Sequence, residues 1–130
     1  NPVFYVQYAY ARINSIFRTL KLDIKSDIKL VDEDFTLNHY EIEILKKISE
    51  WPKYVEISSV KLEPHRITFY LYDLVTLFHF YWNLGTKNKE FRFILQNKGL
   101  NNSRLLLLQA LSIVIKNGMS ILGVSTPKSM

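Results

Sequence analysis

Apolar residues recur along this chain at intervals of three and four, the spacing that lays one face of an α-helix against a core. From Pro2, Val6, Ala9 and Tyr10, Ile13, Ile16 and Phe17, and Leu20 mark one such stripe, predicting a helix over residues 2–21. Asn1 stands where an N-cap belongs and Pro2 fits the first turn. The stripe then stops. Residues 22–36 carry five acids and no helical period, so an acidic loop is expected, with Thr36 as the cap of a second helix. That helix, 37–51, has Leu37, Tyr40 and Glu41, Ile44 and Leu45, Ile48 and Trp51 on its inner side. Trp51-Pro52 ends it, because the residue before proline avoids the helical region. A short third helix follows over 53–62, with Val55, Ser59, Val60 and Leu62 inward. A fourth spans 64–84 and stops at Gly85. Residues 86–100 are mixed and basic, without a period. Asn101 or Asn102 caps a fifth helix to Leu122, where Gly123 is placed as a left-handed stop with Val124 as its hydrophobic partner. The prediction is all-α, one bundle of about five helices over residues 1–130.

One segment raises another possibility. From Ile67 to Thr86 the only formal charge is Asp73, which approaches the length of a membrane span. A charge in mid-segment and amphipathic neighbours favour a central helix wrapped by the others, and no membrane partner.

Composition sharpens this only in part. The chain has 130 residues, 48% of them hydrophobic, which is enough to bury a core. It has no cysteine, so disulfides, thiolate metal sites and a cysteine nucleophile fall away. Eight Tyr, eight Phe and two Trp in a chain of net charge +5 suit a surface where cations meet phosphates and rings meet bases. They suit an aromatic core equally well. The charge is uneven. Residues 1–21 hold Arg12, Arg18 and Lys21 with no acid, whereas residues 85–130 hold seven bases and only Glu90. The second quarter is acidic. If the ends meet in the fold, they make one basic face.

Catalytic signatures are missing. There is no GxGxxG, Walker loop, HExxH or GxSxG. His39, His65 and His79 lie too far apart for a metal-ligand spacing and read as helix-face or capping residues. Asp32, Glu33 and Asp34 read as a solvated loop. What remains is a binding constellation. Tyr5, Tyr8 and Arg12 stand at i, i+3 and i+7 on the first helix, beside the apolar stripe, where two rings and a guanidinium can take bases and phosphate. Weaker candidates are Tyr81-Trp82-Asn83, near the end of the fourth helix, and the polar line Gln109, Ser112 and Lys116 on the fifth. Tyrosines flanking a core stripe also commonly just pack with the hydroxyl at the surface.

Three blocks carry a resemblance. Asn1-Pro2-Val3-Phe4-Tyr5-Val6-Gln7-Tyr8-Ala9-Tyr10-Ala11-Arg12 is similar to the NPVFYVQYAHAR segment that opens the anticodon-binding domain of bacterial arginyl-tRNA synthetases. Leu62-Glu63-Pro64-His65-Arg66, Tyr70-Leu71-Tyr72-Asp73-Leu74 and Phe78-His79 resemble its middle. Arg104-Leu105, Lys116-Asn117-Gly118, Leu122-Gly123-Val124-Ser125, Pro127 and Met130 resemble its end. The resemblance implies a helical module of DALR type whose partner is tRNA(Arg). It also implies a monomeric, cytoplasmic class I arginine–tRNA ligase, whose catalytic domain, using ATP with Mg, lies upstream and is absent from this chain. The module by itself would carry no cofactor, no metal and no catalytic residue. Anticodon contacts carry over to Tyr5, Tyr8, Arg12, Trp82 and Met130. Tyr10 stands where the family usually has His, and Tyr81-Trp82 replaces a common Phe-Tyr pair, keeping a ring while losing a phenolic hydroxyl. Two other readings stay open: a structural or protein-interaction bundle without RNA contact, and the anticodon domain of a cysteine- or methionine-type class I synthetase.

Overall fold

The computed structural model describes residues 1–30, 37–61, 63–94 and 102–130. Within them lie five α-helices: α1 (Pro2–Thr19), α2 (His39–Ser49), α3 (Trp51–Lys61), α4 (His65–Lys87) and α5 (Asn102–Ile121). A 3-10 turn, Lys89–Phe91, follows α4. No strand occurs among the described residues. α4 packs against all four other helices and the 3-10 turn, so it is the central helix of the bundle. Its inner side, Ile67, Tyr70, Leu71, Leu74, Val75, Phe78 and Tyr81, is buried, while Asp73 stays at the surface. α5, at mean hydropathy 1.3, is the helix long and apolar enough to cross a membrane by length and composition, and half of it is buried inside the bundle.

The helix ends follow local chemistry. Asn1 accepts a hydrogen bond from Val3 N at 2.9 Å, with Pro2 in the first turn. α2 begins two residues later than the sequence suggests, and its cap is Asn38 rather than Thr36, which lies outside the described residues. Asn38 and Glu41 form a reciprocal capping box, each side chain bonding the other's main-chain N–H at 2.9 Å. Two donors satisfied at once outweigh the earlier start. Leu45, expected inside, is 44% exposed. The break between α2 and α3 falls at Glu50, so Trp51-Pro52 opens α3 instead of closing α2. In α3 the buried serine is Ser58, which bonds Glu63 O, and Ser59 is exposed. Leu62 lies outside the described residues.

Gly85 does not end α4, which runs on to Lys87. It is buried because the chain folds back over it. A Cβ there would stand 3.0 Å from the Phe91 carbonyl oxygen. Gly123 does end α5, with φ +72°. Gly123 N bonds Ser120 O at 3.0 Å and Val124 N bonds Met119 O at 2.9 Å, the paired closure of a Schellman motif. α1 closes in the same way through Lys21 N to Arg18 O and Leu22 N to Phe17 O, both 2.9 Å. There the left-handed position, φ 58°, is occupied by a lysine.

Candidate nucleic-acid interface

Tyr8 and Arg12 stand one helical turn apart on α1 and therefore share a face. The Arg12 guanidinium lies 5.0 Å from the Tyr8 ring centre and 4.8 Å from that of Trp82, which reaches across from α4. Both distances fall within cation–π range. Trp82 is itself backed by Phe93, stacked at 6.1 Å and 12°. Phe93 is buried, and its segment is fixed from behind by Arg104, whose Nη1 and Nη2 donate to Arg92 O (3.0 Å) and Glu90 O (2.7 Å). The same guanidinium donates Nε–H to Glu41 at 3.1 Å, a carboxylate with a side chain only 1% exposed.

These groups wall a cleft of about 290 Å³. Its lining comes from α1 (Tyr8, Arg12, Ser15, Arg18 and Thr19 among others), from Trp82 on α4, from Ile94, and from Ser129 and Met130. Four of the five residues singled out in the sequence thus share one hollow. Tyr5 is next door. Its ring packs on Tyr72 (5.3 Å) and His79 (4.5 Å) and lines an adjoining aromatic groove with Phe4, Tyr8, Phe69 and Tyr72. Tyr8 borders both hollows.

His79 is the residue that sequence reasoning misplaced. It neither caps nor lies on an open helix face, because it is 5% exposed beneath Tyr5 and Tyr8. Arg12 Nη1 donates to its Nδ1 at 3.3 Å. A guanidinium only donates, so Nδ1 accepts and the ring proton sits on Nε2, which finds no hydrogen-bond partner among the described residues. Burial, and secondly the Arg12 charge, push the His79 pKa down to about 4, so the ring is neutral at pH 7. Only the FH pair marked it in sequence; its depth depends on the crossing of α1 over α4.

Tyr10, on the apolar stripe, is 3% exposed and belongs to the core as that stripe predicts. Other expectations change. Gln109 is taken up in holding the acidic loop, donating to Ile24 O (3.0 Å) and Ser26 O (2.7 Å), and Ser112 bonds back to Gln109 O. The basic ends do adjoin: α1 packs on α5, and Arg18 donates to Lys128 O at 2.8 Å. Yet Arg104 is paired with Glu41, and Arg92 and Arg104 direct N–H donors at internal carbonyls, so these two offer fewer free donors to a partner than the count of basic residues suggests. Among the described residues no group of three or more His, Asp or Glu could hold a metal ion.

Comparison with known proteins decides the family. The family model for the DALR anticodon binding domain matches residues 6–130. The chain belongs to the DALR anticodon-binding family. Arginine–tRNA ligases are among its relatives: that of Pelagibacter ubique is 51% identical over the whole chain, and that of Rhizobium meliloti 43%. This DALR chain spans only 22% and 23% of their lengths. Thermus thermophilus arginyl-tRNA synthetase superposes with a TM-score of 0.71 at 26% identity, covering 97% of this chain and 21% of that one. A solved chain from Campylobacter jejuni, at 23% identity and TM-score 0.78 over the whole chain, shares the DALR fold.

Proposed function

We propose that this DALR chain recognises the anticodon loop of tRNA(Arg) on behalf of an arginine–tRNA ligase, using Tyr5, Tyr8, Arg12, Trp82 and Met130. One observation carries the proposal: a guanidinium held between two rings at the mouth of a cleft, with basic residues from both ends of the chain around it. Tyr8, 47% exposed, offers a face to an unstacked base. Arg12 makes one hydrogen bond among the described residues, to His79, and so retains N–H donors for a phosphate or a base edge. Arg18, Lys21 and Lys128 add attraction that carries no sequence information. Met130 and Ile94 supply apolar walls. The arginylation itself, with ATP and Mg, belongs in this proposal to the rest of a longer, monomeric cytoplasmic protein, and no chemical step is assigned to these residues.

The test is binding of a fluorescent tRNA(Arg) anticodon stem-loop, compared with the same hairpin carrying an unrelated anticodon. The cognate hairpin is expected to bind more tightly. Base–aromatic stacking is worth about 1–3 kcal/mol, so Tyr8→Ala should weaken it roughly tenfold or more. Arg12→Ala should weaken it and lower its salt dependence. Equal binding of both hairpins, unaffected by either substitution, would overturn the proposal and favour a bundle that contacts protein only.

A further inference from the structure

Residues 125–130 follow the Schellman turn at Gly123 and have no helix of their own, yet they form part of the cleft. Two α1 side chains reach them. Gln7 donates Nε2–H to Ser125 O at 2.9 Å, and Arg18 donates Nη1–H to Lys128 O at 2.8 Å. Gln7 is 9% exposed, a depth at which an amide with no acceptor is costly, so its bond to Ser125 is held firmly. The two donors lie eleven positions apart on α1, about three turns, and their acceptors lie three residues apart. The segment is therefore fixed at two points along the helix that also carries Tyr8 and Arg12. Both acceptors are main-chain carbonyls, which makes the attachment one of position rather than of side-chain chemistry.

We infer that Gln7 and Arg18 are positioning residues that strap the 125–130 segment along α1 and so hold Ser129 and Met130 in the cleft that Tyr8, Arg12 and Trp82 also line. The inference rests on the RNA-reading role proposed above, but its first readout does not. Without the straps, nothing among the described backbone hydrogen bonds ties the segment to a helix, and the lining supplied by Ser129 and Met130 is lost.

The experiment uses the 130-residue chain and three substitutions or cuts: Gln7→Met, which keeps length and packing but removes the amide; Arg18→Met at an exposed position; and a chain cut after Val124. Backbone 15N relaxation of residues 125–130 is measured first. Each single substitution should raise the mobility of the amides nearest its acceptor, around residue 125 for Gln7→Met and over 128–130 for Arg18→Met, with helix content by circular dichroism unchanged. Anticodon stem-loop binding is measured next. Gln7→Met should weaken it several-fold in the full chain and have no further effect in the cut chain, because a residue acting through the segment loses its influence when the segment is gone. A tail that stays rigid in both variants overturns the inference. So does a Gln7→Met effect of equal size in full and cut chains. If the unmodified chain does not distinguish the cognate hairpin, the RNA role falls, while the relaxation data still decide the straps.

Discussion

Removing the guanidinium of Arg104 while keeping its stem, as Arg104→Met does, isolates what that group holds. Its partner Glu41 has a side chain 1% exposed, while that of Arg104 is 16% exposed. Deleting one member of a buried ion pair costs about 3–5 kcal/mol, because the survivor keeps its charge without a counter-charge. Two carbonyls, Arg92 O and Glu90 O, lose a donor as well. The lower end of the range applies, since water can reach the outer side of the site and the methionine preserves packing. The expected loss is about 3 kcal/mol, a drop in Tm of about 11 °C for a chain of this length. Urea unfolding followed by circular dichroism at pH 7 measures it. A second substitution sharpens the test: Glu41→Gln added to Arg104→Met removes the stranded charge while keeping an amide oxygen to accept from Asn38 N–H, so the double variant should be more stable than Arg104→Met alone by at least about 1 kcal/mol. A single-variant loss below about 1 kcal/mol, or a double variant less stable than the single, would refute the placement of this pair as a buried clasp.

Lys21 occupies a left-handed turn with φ 58° and an exposed side chain, and L-residues pay about 1–2 kcal/mol there. Lys21→Gly should therefore stabilise the chain by about 1 kcal/mol, read from the urea midpoint at unchanged slope. His79 titrates near 4 when folded, against an ordinary value of 6.5. The unfolded chain thus takes up a proton that the folded one refuses. His79's contribution is intact above pH 6.5 and drains away as the pH falls towards 4, by a few kcal/mol in all. Between pH 6.5 and 4.5 the stability of the wild type should accordingly fall relative to that of His79→Phe by about 2 kcal/mol; parallel curves would count against a buried neutral ring.

Much of the bundle is legible in sequence because its signals are local. The α1 stripe, the Asn1-Pro2 entry and the Gly123-Val124 exit each depend on residues within a turn of one another. The displaced boundary of α2 is decided by competition between neighbours: Thr36 and Leu37 read as cap and first apolar position, while the reciprocal bonds of Asn38 and Glu41 start the helix later. Gly85 resembles a stop until the fold-back of Phe91 and Arg92 supplies another reason for a missing Cβ. At the candidate site, Tyr8 and Arg12 pair by helical spacing alone. Met130, and the link of Trp82 to Arg12, rest on the family resemblance alone, since 118 and 70 residues separate Arg12 from them and no period spans such gaps. His79 and Arg104 were hidden for the same reason. A lone histidine on a helix and an arginine in a basic stretch carry no local mark of depth, and each is defined by a partner on another helix.

The clasp also bears on how this module can change over time. Arg104 grips the segment after α4 by the carbonyls of Glu90 and Arg92, and Arg92 in turn grips the Gly85 carbonyl. A carbonyl is the same whatever side chain it belongs to. Lys87, Lys89 and Glu90, exposed along that stretch, can therefore be exchanged without unseating the wall behind Trp82. A protein lineage is free to retune the charge of that stretch, one neutral step at a time, while the geometry of the rings stays put.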